Sequence, residues 1–120
     1  MRIGEKIHVL IVEDDPIIGF DLAVELEEAG FAVVGVAPTV AKALDLLERH
    51  PCDLAVLDVN LGQETSAPIA RALVAADVPF VAVTGYSVDQ CPEEFARAPL
   101  LSKPFQTTRL VAALRRQLHP

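Results

Sequence analysis

The chain has no tryptophan, a single tyrosine and only two cysteines. Cys52 and Cys91 lie far apart. They offer no disulfide framework and no zinc-ligand spacing, and they suit small buried apolar positions in a reducing compartment. Positive charge is also scarce: ten Lys and Arg stand against seventeen Asp and Glu, a net charge of −7. That balance argues against binding to nucleic acid or an anionic membrane, both of which need basic patches. It leaves room for a cation or a basic partner surface. Apolar runs of membrane-spanning length are missing. The opening "MRIGEKIHVLIVEDD" meets acids too early for a signal peptide. A cytoplasmic protein, with no membrane and no nucleic-acid partner, is the expectation.

At 120 residues the chain has the size of one compact domain, and residues 1–120 are read as a single unit with no output domain. Just over half of it is apolar, mostly Ala, Val and Leu, which suffices for a full core and argues against disorder. Short apolar runs at 7–12, 33–37, 54–57, 80–83 and 100–101 are rich in β-branched residues. Continuous apolarity without alternation marks strands covered on both faces.

Helical patterns lie between these runs. Asp15 suits an N-cap, Pro16 the first turn and Gly30 the position past the end, with Ile18, Leu22 and Leu26 as the stripe. Thr39 caps a second helix with Val40, Ala43, Leu44 and Leu47 inward. A third spans 66–76, with Pro68 tolerable in its first turn. A fourth, around "DQCPEEFARA", is weak and short; a fifth starts at Thr107 or Thr108, with Leu110, Val111, Leu114 and Leu118 as its stripe. Arg115 and Arg116 near its end suit the helix dipole and, with Arg109, a solvated face. Strand and helix alternating five times predict an α/β fold: a flavodoxin-like, doubly wound, five-stranded parallel sheet in the order 2-1-3-4-5.

In such sheets the ligand sits beyond the carboxyl ends of the strands, at the switch point. Glu13, Asp14 and Asp15 follow the first run, Asp58 the third, Thr84 the fourth and Lys103 the fifth. The order brings Glu13, Asp14 and Asp58 together. Two unit charges about 4 Å apart repel by about 4 kcal/mol at an effective dielectric near 20. Either some of these acids stay protonated or a divalent cation sits among them, and an all-oxygen site suits magnesium. Lys103 supplies a point charge for a phosphate oxygen and the Thr84 hydroxyl a hydrogen bond. These parts match transfer of a phosphoryl group to a carboxylate, with Asp58, at the end of the central strand, as acceptor. Asp15 reads as a helix cap rather than a ligand. His8, His50 and His119 have no partner at ligand spacing.

Over essentially its whole length the sequence resembles the CheY-like receiver domain of two-component response regulators. The resemblance rests on Glu13-Asp14, Asp58, Thr84-Gly85 and Lys103-Pro104 in this order on this alternation. It implies that Asp58 takes a phosphoryl group from a phosphohistidine of a sensor histidine kinase or histidine phosphotransferase. It implies that Glu13, Asp14, Asp58 and the backbone carbonyl of Asn60 hold Mg2+, that Thr84, Gly85 and Lys103 bind the phosphoryl group, and that the Lys103–Pro104 peptide is cis. Output is then contact with a downstream protein or relay of the phosphoryl group.

A narrower resemblance links "PFVAVTGY", residues 79–86, to the so-called FAT GUY receivers, often stand-alone members of phosphorelays, some tied to the stress response. Pro79, Phe80, Thr84, Gly85 and Tyr86 match that signature; Ala82 and Val83 do not. The family's usual ring three residues before the lysine is Leu100 here, so Tyr86 is the candidate switch aromatic. The stretch from Thr84 to Lys103 is short for the family.

Two other readings compete. A haloacid-dehalogenase-type phosphatase needs an acid two residues after its nucleophile as general acid, and that position is Asn60. A pseudo-receiver that binds partners without phosphorylation is opposed by the intact acid, threonine and lysine set, while Leu100 in place of the usual ring keeps it open.

Overall fold

The computed structural model describes residues 6–85, 91–96 and 98–118. The elements run in the order β1 (His8–Val12), α1 (Pro16–Glu28), β2 (Ala32–Ala37), α2 (Val40–Arg49), β3 (Leu54–Asp58), β4 (Asn60–Leu61), β5 (Glu64–Thr65), α3 (Ala67–Ala75), β6 (Phe80–Thr84), β7 (Leu100–Ser102) and α4 (Thr107–Leu118). Five strands form one parallel sheet ordered β2-β1-β3-β6-β7, while β4 and β5 pair separately as an antiparallel hairpin. Numbered by sheet strands alone, that is the expected 2-1-3-4-5.

Successive side chains of a strand point to opposite faces. Val9 and Ile11 of β1 therefore join one core with Leu22 and Leu26 of α1 and Leu110 and Leu114 of α4. Leu10 and Val12 join the other, with Ala43 of α2 and Ile69, Ala70 and Leu73 of α3. All five residues of β3 are buried, as a central strand covered on both faces requires. Cys52 and Cys91 are not in a disulfide and are half-buried against the core on the α2–α3 side. Burial, and then the neighbouring Asp53 charge, push the Cys52 thiol up to about 11.

Helix α1 begins as expected: the Asp15 carboxylate accepts from the Ile17 and Ile18 amides at 2.9 and 3.2 Å, with Pro16 in the first turn. Its buried stripe is Gly19, Leu22 and Leu26, one residue round from the expected one. Gly19 lets the helix lie close to β2, since a Cβ there would stand 2.7 Å from Val36 Cγ1. Ile18 is consequently turned outward and is 48% exposed. Leu44 of α2, expected inward, is also partly turned to solvent, at 37% exposed.

The expected fourth helix is a single 3-10 turn, Glu93–Phe95, among the described residues; Asp89 and Gln90 lie outside them. Two interactions hold this turn. Phe95 is buried edge-to-face on Phe80, with centroids 6.3 Å apart. Arg71 of α3 pairs with Glu94 at 2.5 Å. The turn spans three residues, too few for an amphipathic stripe.

Candidate functional site

The site is assembled by strand ends fixed to their neighbours. The Glu13 amide donates to the Ala37 carbonyl at 3.0 Å, which locks the end of β1 to β2. The Val59 amide bonds the Val83 carbonyl at 2.9 Å, and the Lys103 amide bonds the Thr84 carbonyl at 2.9 Å. Three adjacent strands thus present Glu13-Asp14, Asp58 and Thr84 along one edge, with Lys103 following β7. Glu13, Asp58 and Thr84 are buried, Lys103 is half-buried, and Asp14 and Gly85 are exposed.

Lys103 Nζ donates to Asp58 Oδ2 at 2.6 Å and stands 3.7 Å from Glu13 Oε1. The other Asp58 oxygen, Oδ1, accepts from the Asn60 amide at 3.2 Å. Glu13 Oε2 accepts from the Asp15 amide at 3.1 Å. Burial of Glu13, with help from Asp14 and the Asp58 charge, raises its pKa to about 7 against the pull of the Asp15 amide and Lys103. For Lys103 burial acts downward, but the bond to Asp58 and the charges of Asp58 and Glu13 outweigh it and hold the pKa above the usual lysine value. The Lys103–Pro104 peptide bond is cis.

Carboxylate oxygens of Glu13, Asp14 and Asp58 lie within 4.8 Å of one another. One ammonium faces three acids, so a divalent cation would balance the remaining charge. Hard oxygen donors at this spacing fit magnesium or calcium rather than a softer metal. Tyr86 lies outside the described residues, as does His119. Asp15 caps α1, and His8 pairs with Asp53 across the base of the sheet at 3.6 Å, far from the site.

Sequence reasoning missed the hairpin after Asp58. Asn60 pairs with Thr65 and Leu61 with Glu64, around a turn where Gly62 has φ +67°. Its signal was the glycine inside "VNLGQET", a turn marker between short strand formers. The hairpin brings Gly62 beside Asp14: a Cβ on Gly62 would stand 3.8 Å from Asp14 Oδ2.

The doubly wound α/β sheet with acids and a lysine converging at its switch point is the arrangement that the receiver resemblance implies. The model of the family described as the response regulator receiver domain matches residues 9–115, and the chain belongs to that family. It is 35% identical over 115 residues to the transcriptional regulatory protein PdtaR of Mycobacterium tuberculosis, covering 89% of this chain and 54% of PdtaR. The chain therefore spans about half the length of that curated relative. Its fold superposes on the solution structure of SdrG from Sphingomonas melonis Fr1 with a TM-score of 0.80, at 44% identity, over 94% of this chain and 97% of that one. The solution structure of the BeF3-activated conformation of SdrG from Pseudomonas melonis Fr1 matches with a TM-score of 0.75 at 45% identity, over 89% of this chain and 94% of that one. The chain thus carries a CheY-like receiver domain of the kind used in two-component, phosphorylation-based signalling, and none of its described helices is long and apolar enough to cross a membrane.

Proposed function

We propose that Asp58 is the phosphoacceptor, taking its phosphoryl group from a phosphohistidine of a sensor kinase or phosphotransferase. The observation that carries this reading is the 2.6 Å bond from Lys103 Nζ to Asp58 Oδ2, at the end of the central strand and within the carboxylate cluster. Asp58 Oδ2 attacks phosphorus in line, the phosphorus–nitrogen bond of phosphohistidine breaks, and its electron pair returns to the imidazole. The product is an acyl phosphate. The Asn60 amide keeps Oδ1 fixed while Oδ2 reacts. Lys103 then transfers its hydrogen bond from Asp58 to a phosphoryl oxygen, and Thr84 at the end of β6 offers its hydroxyl to another.

Glu13, Asp14, Asp58 and the Asn60 carbonyl are the groups that would hold Mg2+, which would neutralise charge on the acids and the phosphoryl oxygens. The raised pKa of Glu13 belongs to the protein without a cation.

The donor needs a surface beside the pocket. A groove of about 490 Å³ runs from Glu13 and Lys103 between α1 and α4, lined by Ile18, Leu22, Pro104 and Phe105. Next to it α1 exposes Ile17, Phe20 and Val24, at 72%, 67% and 41%. We assign this face to the phosphohistidine-bearing partner, and the output to altered contacts with a further cytoplasmic protein or onward relay. To test the chemistry, the protein is incubated with Mg2+ and acetyl phosphate. The expected result is a single added phosphoryl group, stable in acid, labile in base and lost in Asp58→Ala. No adduct with either acetyl phosphate or a kinase would leave a partner-binding domain without phosphorylation. Continuous phosphate release from many phosphomonoesters would make it a hydrolase.

A further inference from the structure

The hairpin after Asp58 is tied to α2, a helix that carries none of the site residues. Glu64 Oε2 accepts from the Val40 amide at 3.2 Å, twenty-four residues away. Val40 is the first residue of α2, so its amide is one of the donors that a helix start leaves without an internal partner. The helix has its own cap as well, because Thr39 Oγ1 accepts from the Lys42 amide at 3.1 Å. The Glu64 bond therefore does more for the hairpin than for the helix.

A two-stranded ribbon with two residues per strand does not hold its shape alone. On one side this one is anchored by Leu61, buried in the core, and by the Ser66 amide on the Val59 carbonyl at 2.9 Å. On the other side Glu64 reaches α2. The start of α2 is itself placed by the Glu13 amide on the Ala37 carbonyl, three residues before Val40. The hairpin is thus tied to the chain segment that the Glu13 amide fixes at Ala37, and it places Gly62 beside the Asp14 carboxylate, where an added Cβ would stand 3.8 Å from Oδ2.

We propose that Glu64 is a positioning residue for the cation site: its bond to the Val40 amide holds the β4–β5 hairpin against Asp14 and sets where Asn60 presents its carbonyl. The proposal rests on the reading that a divalent cation sits among Glu13, Asp14 and Asp58. A carboxylate at the start of a helix is also favoured by the helix dipole, which strengthens the tie. Groups that orient metal ligands without touching the metal commonly change affinity by one to two orders of magnitude when removed.

The test is a Mg2+ titration of the full chain by calorimetry, with amide hydrogen exchange across residues 60–65 as a second readout. Glu64→Ala is expected to weaken Mg2+ about tenfold and to speed exchange in the hairpin. Glu64→Gln keeps an acceptor oxygen and is expected to stay within about threefold of wild type. Thr39→Ala removes the α2 cap without touching the hairpin, so it is expected to lower the melting temperature and leave Mg2+ affinity unchanged. Equal affinity in Glu64→Ala and wild type overturns the proposal, as does equal weakening by Thr39→Ala. Wild-type protein that binds no Mg2+ overturns the cation site itself, and this role with it.

Discussion

Neutralising Asp14 is predicted to stabilise the protein without a cation and to abolish its response to one. Its carboxylate oxygens lie within 4.8 Å of those of Glu13 and Asp58. At that separation each pair of unit charges repels by about 3.5 kcal/mol at an effective dielectric near 20. Asp14 is exposed, so water and salt screen most of this, and relief of about 1 kcal/mol is the reasonable size for Asp14→Asn. In a domain of this length that corresponds to a rise of about 4 °C in melting temperature. Wild type gains instead from the cation: at ten times the dissociation constant the linkage is about 1.4 kcal/mol, or about 5 °C. Thermal denaturation at pH 8, where Glu13 is mostly ionised, is run in EDTA and across a Mg2+ series. The two proteins are expected to cross, with Asp14→Asn the more stable in EDTA and wild type level with it or above it at saturating Mg2+. A lower melting temperature for Asp14→Asn in EDTA, or an equal Mg2+ shift in both, would refute the clustered-acid account.

Three further outcomes follow from the same structure. Glu13 has a pKa of about 7 in the folded protein against 4.5 as the ordinary value, so between those pH values the folded state binds more protons than the unfolded one. Stability in EDTA should therefore fall by about 1–3 kcal/mol as pH rises from 4.5 to 7, and Glu13→Gln should flatten the curve; an unchanged slope in the variant removes Glu13 as the cause. Gly19→Ala places a Cβ 2.7 Å from Val36 Cγ1, a branched side chain on β2 with little freedom, and should cost about 1–3 kcal/mol by urea denaturation; a neutral result would mean that α1 is not held that close to the sheet. Phe20→Glu should slow phosphoryl transfer from the cognate kinase at least about tenfold while leaving the reaction with acetyl phosphate unchanged, since Phe20 is 67% exposed and beside the pocket rather than in it. Equal slowing with both donors would show damage to the pocket instead.

What could be read from the chain was what local pattern and topology determine. Buried parallel strands announce themselves as unbroken apolar runs, and a strand's last residue becomes a site residue once the sheet order is known. Glu13, Asp14, Asp58 and Lys103 could thus be brought together on paper, and the structure places them within hydrogen-bonding or cation-sharing distance. Ile18 was misplaced because the helical repeat fixes a stripe only to within one position, and the close approach that Gly19 permits turns the helix by that amount. The segment before β7 could be read only as a weak, short helix because Phe95 and Glu94 answer to tertiary partners, Phe80 and Arg71, that no local period reveals. The hairpin after Asp58 was lost because strands of two residues carry no periodicity at all. Its bond from Glu64 to Val40 joins positions twenty-four apart and exists only in three dimensions.

The central claim is that Asp58 is the residue that carries the phosphoryl group. The most direct measurement is to phosphorylate the protein with its kinase or acetyl phosphate in Mg2+, trap the acyl phosphate by borohydride reduction, and map the reduced residue by tandem mass spectrometry. The account predicts conversion of Asp58 to homoserine, with neither Asp14 nor Glu13 reduced. A reduced residue elsewhere, or full incorporation of phosphate in Asp58→Asn, would contradict it.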